Sequence, residues 1–151
     1  MKIIAKNRRA RFEYEILDRI EAGVALVGTE VKSLRDGRAS LAEAYAIISD
    51  GEAYICKMHI PPYEPASQFN HDPTRRRKLL LRKREIRRLT GKVAERGLAL
   101  VPLRLYFTER GLAKLELALA RGRKLYDKRE VLRKRSAKRE MERAFARNRR
   151  G

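Results

Sequence analysis

The sequence predicts a mainly β fold with flanking helices: six short strands closing as an antiparallel barrel, followed by a basic C-terminal tail with no core of its own. Three observations predict it. Short alternating apolar segments separated by turn residues recur up to Ala120, helical spacing of apolar residues is confined to two short stretches, and beyond Arg121 large apolar groups become scarce while Lys and Arg accumulate. Periodicity does not give the order of the strands.

"FEYEILDRIEAGVALVG" offers two strands, Phe12 to Ile20 and Val24 to Val27, joined near Ala22-Gly23. "TEVKSLRDG" reads as a short helix, with Thr29 as N-cap and Gly37 as the stop. In "AYAIISDGEAYICKM" the Asp50-Gly51 pair between apolar runs predicts a hairpin with a tight two-residue turn. Ile86, Leu89 and Val93 fall at helical spacing ahead of Gly97, with Gly91 a weak point. "LALVPLRLYFTERGLAKLELALA" is a second hairpin. In its later arm Ala113, Leu115, Leu117 and Leu119 alternate with Lys114 and Glu116, giving one buried face and one wet face. A small antiparallel barrel suits this pattern, the architecture of oligonucleotide-binding (OB) folds among others.

Two segments lie outside the strands. "PPYEPASQFNHDP", Pro61 to Pro73, contains four prolines and cannot continue a ladder, so it is expected as a long surface loop leading into the basic run "TRRRKLLLRKR". The stretch from Arg121 to Gly151 holds fourteen Lys and Arg against four Asp and Glu, a net +10. Its few large apolar groups cannot offset the entropy of ordering. Yet no glycine or proline interrupts Lys124 to Arg150, so a polyanionic surface that neutralised it could fold it into helix. The expected division is a barrel over 1–122 and a tail over 123–151, disordered when free.

The 151-residue chain carries 38 Lys and Arg against 19 Asp and Glu, a formal +19 that calls for a polyanionic partner. No stretch approaches the length of a membrane span, and "MKIIAKNRRARF" lacks the apolar region of a secretory signal, which favours nucleic acid in the cytoplasm over a membrane surface. Further cations cluster at Lys6 to Arg11 and at Lys32, Arg35 and Arg38. Charge alone binds any RNA; stacking or apolar contact adds selectivity, and Leu79 to Leu81, Phe69, Tyr63 and Tyr14 are the candidates. Cys56 and His59 have the spacing of half a metal site but lack the remaining ligands, so no metal or other cofactor is expected. His71-Asp72 could begin a nuclease site, but a turn explains it more simply, since Asp72 precedes Pro73 and can accept from the next amides. No glycine-rich phosphate cradle is present. A general RNA-binding or ribosomal protein and a basic ribonuclease remain as alternatives at this level.

The strings "NRRAR", "EAG", "GTEVKSLRDGRASL", "MHIPPYEP", "FNHDPTRRRKLLLRKREI", "GLALVPLRLYF" and "AKLELALARGRKLYDKRE", in order from Asn7 to Glu130, resemble the successive signatures of the small protein B (SmpB) family of bacterial transfer-messenger RNA-binding proteins. The resemblance implies an OB-fold-like six-stranded barrel, no enzymatic activity, and a role in trans-translation, the rescue of ribosomes stalled on messages without a stop codon. It implies as partners the transfer-messenger RNA (tmRNA), the ribosome at its small-subunit decoding centre and mRNA channel, and, through the RNA complex, elongation factor Tu and alanyl-tRNA synthetase, with a monomeric protein. On the matching positions it places Asn7, Arg8, Arg11, Glu21, Arg75, Arg77, Lys78 and Leu80 against the tRNA-like domain. Glu21 is the odd member: it could accept from a base edge or 2′-hydroxyl, orient an arginine, or be a turn residue. The resemblance also places Gly122, Lys124, Tyr126, Asp127, Lys128 and Arg129 at the decoding centre. Phe12 departs from the family, many of whose members carry histidine there.

Overall fold

Alternation of more and less buried side chains is clean in the short strands β4 (Glu52–Cys56) and β5 (Arg77–Leu80) of the computed structural model, which describes residues 1–66, 68–94 and 98–122. In chain order these form β1 (Lys2–Lys6), α1 (Ala10–Glu13), β2 (Tyr14–Val24), α2 (Gly28–Arg35), β3 (Tyr45–Ser49), β4 (Glu52–Cys56), a 3-10 turn (Glu64–Ala66), β5 (Arg77–Leu80), α3 (Lys83–Val93), β6 (Leu98–Phe107) and β7 (Ala113–Gly122). All pairings are antiparallel. Strands β6, β3, β4, β5, β2 and β7 follow one another, and β7 pairs back with β6, so six strands close a ring and β1 adds a seventh on the outer edge of β6.

The ring encloses one core, built on Leu34, Leu41, Ile55, Met58, Ile60, Leu79, Leu89, Leu105, Leu115 and Leu117. Both expected hairpins form. Asp50 and Gly51 take φ of 53° and 75°, the left-handed pair that a tight β3–β4 turn requires. On β7 the expected inward residues Leu115, Leu117 and Leu119 are buried and Ala113 is half-buried, while Ala120 is covered from outside by Ala10 of α1 and Val101 of β6. Helix α3 buries Ile86 and Leu89; Gly97, its expected stop, lies outside the described residues. Among the described residues no helix is long and apolar enough to cross a membrane.

Three expectations are corrected. Phe12 to Ile20 and Val24 to Val27 are not two strands: one strand, β2, runs through Ala22-Gly23 without turning. Gly23 serves closeness of approach instead of a turn. It pairs with Leu80 at the seam where β2 meets β5 over two residue pairs, and a Cβ there would sit 3.1 Å from the Leu80 Cβ. Second, two strands were not expected: β1, which shares only Lys6 with the cationic cluster read there, and β5, whose period of two was masked within a run of cations: Arg77 and Leu79 point in, Lys78 and Leu80 out. Third, Val27, not Thr29, is the N-cap of α2; its backbone N–H donates to Glu30 Oε1 at 2.9 Å. The Thr29 hydroxyl instead meets His71 Nδ1 at 2.8 Å, and His71 Nε2 lies 2.8 Å from the Ile60 carbonyl, which ties the end of the proline-rich loop to α2. Asp72 accepts from the Thr74 amide at 3.0 Å, the turn role expected of it.

Valine at Gly23 would press two further methyl groups onto Leu80. Gly23→Val should destabilise the domain by about 1–3 kcal/mol, read as a lower midpoint in urea with an unchanged slope.

Candidate nucleic-acid interface

The outward faces of β2, β7 and β6 make one polar surface. Register puts Glu21 of β2 opposite Glu116 of β7, and Glu116 opposite Arg104 of β6; Lys114 lies opposite Gly23 on one side and Tyr106 on the other. Two carboxylates facing each other repel, and each is satisfied separately. Glu116 accepts from Arg104 Nε at 2.9 Å, with Arg104 Nη2 at 2.8 Å and Arg19 Nη1 at 3.4 Å. Glu21 accepts from the Tyr106 hydroxyl. Burial, and then the Glu21 carboxylate, raise the Tyr106 phenol well above its ordinary pKa, so it remains a donor.

A groove of about 1440 Å³ opens beside this surface, walled by Arg19, Glu21, Lys78, Leu80, Arg82 and Lys114 among others. An adjoining hollow of about 530 Å³ is lined by Asn7, Arg8, Arg11, Phe12, Arg19 and Arg104. Arg19 lines both. Asn7 is a structural anchor of the second: its backbone N–H donates to the Leu103 carbonyl at 2.8 Å and its Nδ2 to the Pro102 carbonyl at 3.0 Å, occupying acceptors at the irregularity in the β6–β7 register between Pro102 and Arg104. The segment carrying Arg8, Arg11 and the 80 % exposed Phe12 is thereby pinned beside β6.

The eight residues expected at the tRNA-like domain thus divide. Glu21, Lys78 and Leu80 share the larger groove, and Asn7, Arg8 and Arg11 the adjoining hollow. The leucine triplet splits as its strand dictates: Leu79 is core, Leu80 is 55 % exposed and Leu81 is half-buried. Arg75 lies on another face, lining a hollow with Lys32, Phe69 and His71. Its side chain is directed to Glu30, at 2.5 Å from Oε1, and to the Ala25 carbonyl at 3.3 Å. Arg77 corrects the expectation outright, because a guanidinium with no exposed surface cannot reach phosphate. It pairs with Glu30, donates to the Met58 carbonyl at 2.6 Å and to the Pro73 carbonyl at 3.1 Å, and serves the core. Burial would raise the pKa of Glu30, but hydrogen bonds from Arg75, the Val27 amide and Arg77 outweigh it and hold the carboxyl below its ordinary value.

Sequence reasoning missed Arg19, Arg104 and Tyr106. A signal existed, since Arg19 stands two residues from Glu21 on one strand and Arg104 two from Tyr106 on another, each pair on one face. Of the residues expected at the decoding centre, Gly122 ends β7 opposite Tyr14; Lys124, Tyr126, Asp127, Lys128, Arg129 and the rest of the tail lie outside the described residues. Cys56 is half-buried at the end of β4 and the His59 backbone bridges to Ser40; no group of metal-ligating side chains occurs among the described residues.

The model of the family described as SmpB protein matches residues 4–147. An SsrA-binding protein of Pelotomaculum thermopropionicum is 57 % identical over 145 residues, covering 96 % of this chain and 94 % of that one. Another, from Acidothermus cellulolyticus, is 57 % identical over 150 residues, covering 99 % and 94 %. A solved structure described as "tmRNA-SmpB: a journey to the center of the bacterial ribosome" shares 58 % identity and aligns with a TM-score of 0.66 over 78 % of this chain and 82 % of that one.

Two substitutions in the same strand, β5, should separate core from surface. Arg77→Met leaves Glu30 buried without its innermost partner and should cost about 3–5 kcal/mol of stability; Leu80→Ala should leave the unfolding midpoint nearly unchanged and weaken RNA binding by about 1–3 kcal/mol, without altering its dependence on salt. Acid supplies a further check. A carboxyl whose folded pKa lies below its unfolded value contributes stability that is present above the unfolded value and lost as pH falls through the folded one. Urea midpoints should therefore drop as pH falls below the ordinary value of 4.5 for Glu30. In the Glu30→Gln, Arg77→Met double variant that drop should be shallower.

Proposed function

The chain belongs to the SmpB protein family, and on that premise we propose that it binds the tRNA-like domain of transfer-messenger RNA and acts with it in trans-translation on stalled ribosomes. The observation that carries the reading is its 58 % identity to an SmpB in a tmRNA–SmpB structure concerned with the ribosome. The geometry agrees with RNA as partner. Arg19, Lys78 and Lys114 wall a groove into which Leu80 projects, so phosphates and an unstacked base have partners on one surface.

The protein acts as a binding module and not as an enzyme, works in the cytoplasm as a monomer, and brings its RNA into productive contact with alanyl-tRNA synthetase and elongation factor Tu. Its closed sheet takes the place of a missing anticodon arm. Gly122, Lys124, Tyr126, Asp127, Lys128 and Arg129 then fall at the decoding centre, where Tyr126 stacks on a ribosomal base. The residues beyond, rich in Arg, Lys, Glu and Ala, fold as a helix against the wall of an empty mRNA channel. An occupied channel offers no such wall, which confines rescue to ribosomes whose message has run out.

Recovery of the protein from a bacterial lysate should bring down one dominant stable RNA; a smear of ribosomal fragments would count against the reading. Cutting the chain after Gly122 removes 123–151 but no strand of the ring. The shortened protein should bind the tRNA-like domain with only modestly reduced affinity and fail to tag peptides on stalled ribosomes. In the full chain, prolines at Lys138 and Arg143 cost a helix about 3 kcal/mol each and should also abolish tagging; rescue at the normal rate would mean that the tail works as an unstructured polycation.

A further inference from the structure

Glu21 is an exposed carboxylate on a groove whose walls include Arg19, Lys78 and Lys114, and simple electrostatics would fold it onto one of these cations. Its hydrogen bond goes to the Tyr106 hydroxyl instead, while the facing Glu116 takes Arg104 and Arg19. Tyr106 reaches it from β6, two strands away across β7. Tyr106 is 4 % exposed and the Arg104 guanidinium lies over its ring, 5.4 Å from the centroid, so turning the hydroxyl away from Glu21 would uncover apolar surface and break that contact. The phenol donates to Oε2, which leaves Oε1 with its lone pairs on a side chain that lines the groove.

Resting on the binding of the tRNA-like domain proposed above, we propose that Tyr106 is a positioning residue that determines specificity: it holds Glu21 off the neighbouring cations so that Oε1 accepts from the N–H edge of an unpaired base. A fixed carboxylate repels phosphate and rewards a donor. Base-edge N–H groups are free only where the RNA fold leaves a base unpaired, whereas 2′-hydroxyls and phosphates occur along every RNA, so the contact discriminates by shape in a way that the cations around it do not.

The test measures binding of the full chain to the tRNA-like domain and to an ordinary elongator tRNA, by fluorescence anisotropy over a range of salt. The proteins compared are wild type, Tyr106→Phe, Glu21→Ala and the double variant. Tyr106→Phe keeps the ring and removes one hydroxyl. Affinity for the tRNA-like domain should fall about tenfold, the scale of a hydrogen bond to a charged group, while affinity for ordinary tRNA, the salt dependence and the thermal midpoint stay near wild type. The double variant should bind no more weakly than Glu21→Ala alone. The proposal is overturned if Tyr106→Phe binds as wild type does, weakens both RNAs alike, or loses the same factor again in the Glu21→Ala background. A wild-type protein with no preference between the two RNAs overturns both this inference and the proposed function; a selective wild type with a silent Tyr106→Phe overturns this inference alone.

Discussion

The ring depends on one buried carboxylate. Glu30, without exposed surface, sits in the first turn of α2 and receives the Val27 amide, the Arg75 side chain and the wholly buried Arg77. Through Arg77 it also reaches the Met58 and Pro73 carbonyls, which lie on either side of the proline-rich loop. A buried ion pair is a poor source of net stability, since desolvation offsets most of its attraction. Its effect here is on register. Strand β5 has four residues and meets β2 over two pairs and β4 over three, ladders short enough that side-chain contacts weigh heavily in fixing its register. A slip by one would carry Leu79 out, Leu80 in, and the Arg77 guanidinium away from Glu30. The cost of an unpaired buried charge excludes that alternative, and the exposed position of Leu80 follows from it.

The outer face repeats this logic in weaker form. Exposed ion pairs such as Arg88 with Asp18, at 3.0 Å, or Lys78 with Glu52, at 3.4 Å, add little to stability in water. They do restrict long side chains. Arg104 is held by Glu116 from one side and covers the Tyr106 ring on the other, so part of the entropy that binding would cost has been lost in folding. Carboxylates on a cationic surface therefore do not contradict a polyanionic partner.

Much of this was legible in the sequence where a local rule acts alone. Asp50-Gly51 fixes its hairpin because few other residues accept two left-handed φ values in succession, and the alternation of Leu115, Leu117 and Leu119 fixes a strand whose other face carries charge. Legibility failed where a residue's role is set by a distant partner. Gly23 carries the local signature of a turn, and only the approach of Leu80 from β5, far along the chain, shows why a glycine is needed within a strand. Arg77 is one cation in a run of cations; its partner lies 47 residues earlier, and nothing in the run marks it as the inward member except the period of two that places it with Leu79. The resemblance put Glu21 together with Lys78 and Leu80, and the fold brings the three to one groove; the period of two links Lys78 to Leu80 but not to Glu21, and neither signal revealed that Tyr106 holds Glu21.

Charge is divided along the chain in a way that bears on the proposed function. Of the formal +19, the residues after Gly122 carry thirteen cations less four carboxylates, +9 in 29 residues, which leaves +10 for the 122 residues that build the ring. A run of cations attracts any polyanion, and its contribution falls with salt in proportion to the phosphates neutralised, whatever their sequence. Discrimination must therefore come from the part in which net charge is sparser. There Glu116 occupies Arg104 and Arg19, Glu30 occupies Arg75 and Arg77, and Glu21 stands as a negative point on the groove. An RNA that presents only backbone to this groove meets a repulsive carboxylate and an apolar Leu80 that it cannot use, whereas one that presents an unstacked base finds a partner in both. In the proposed complex the ring selects the RNA, and the charge concentrated after it acts on the ribosome.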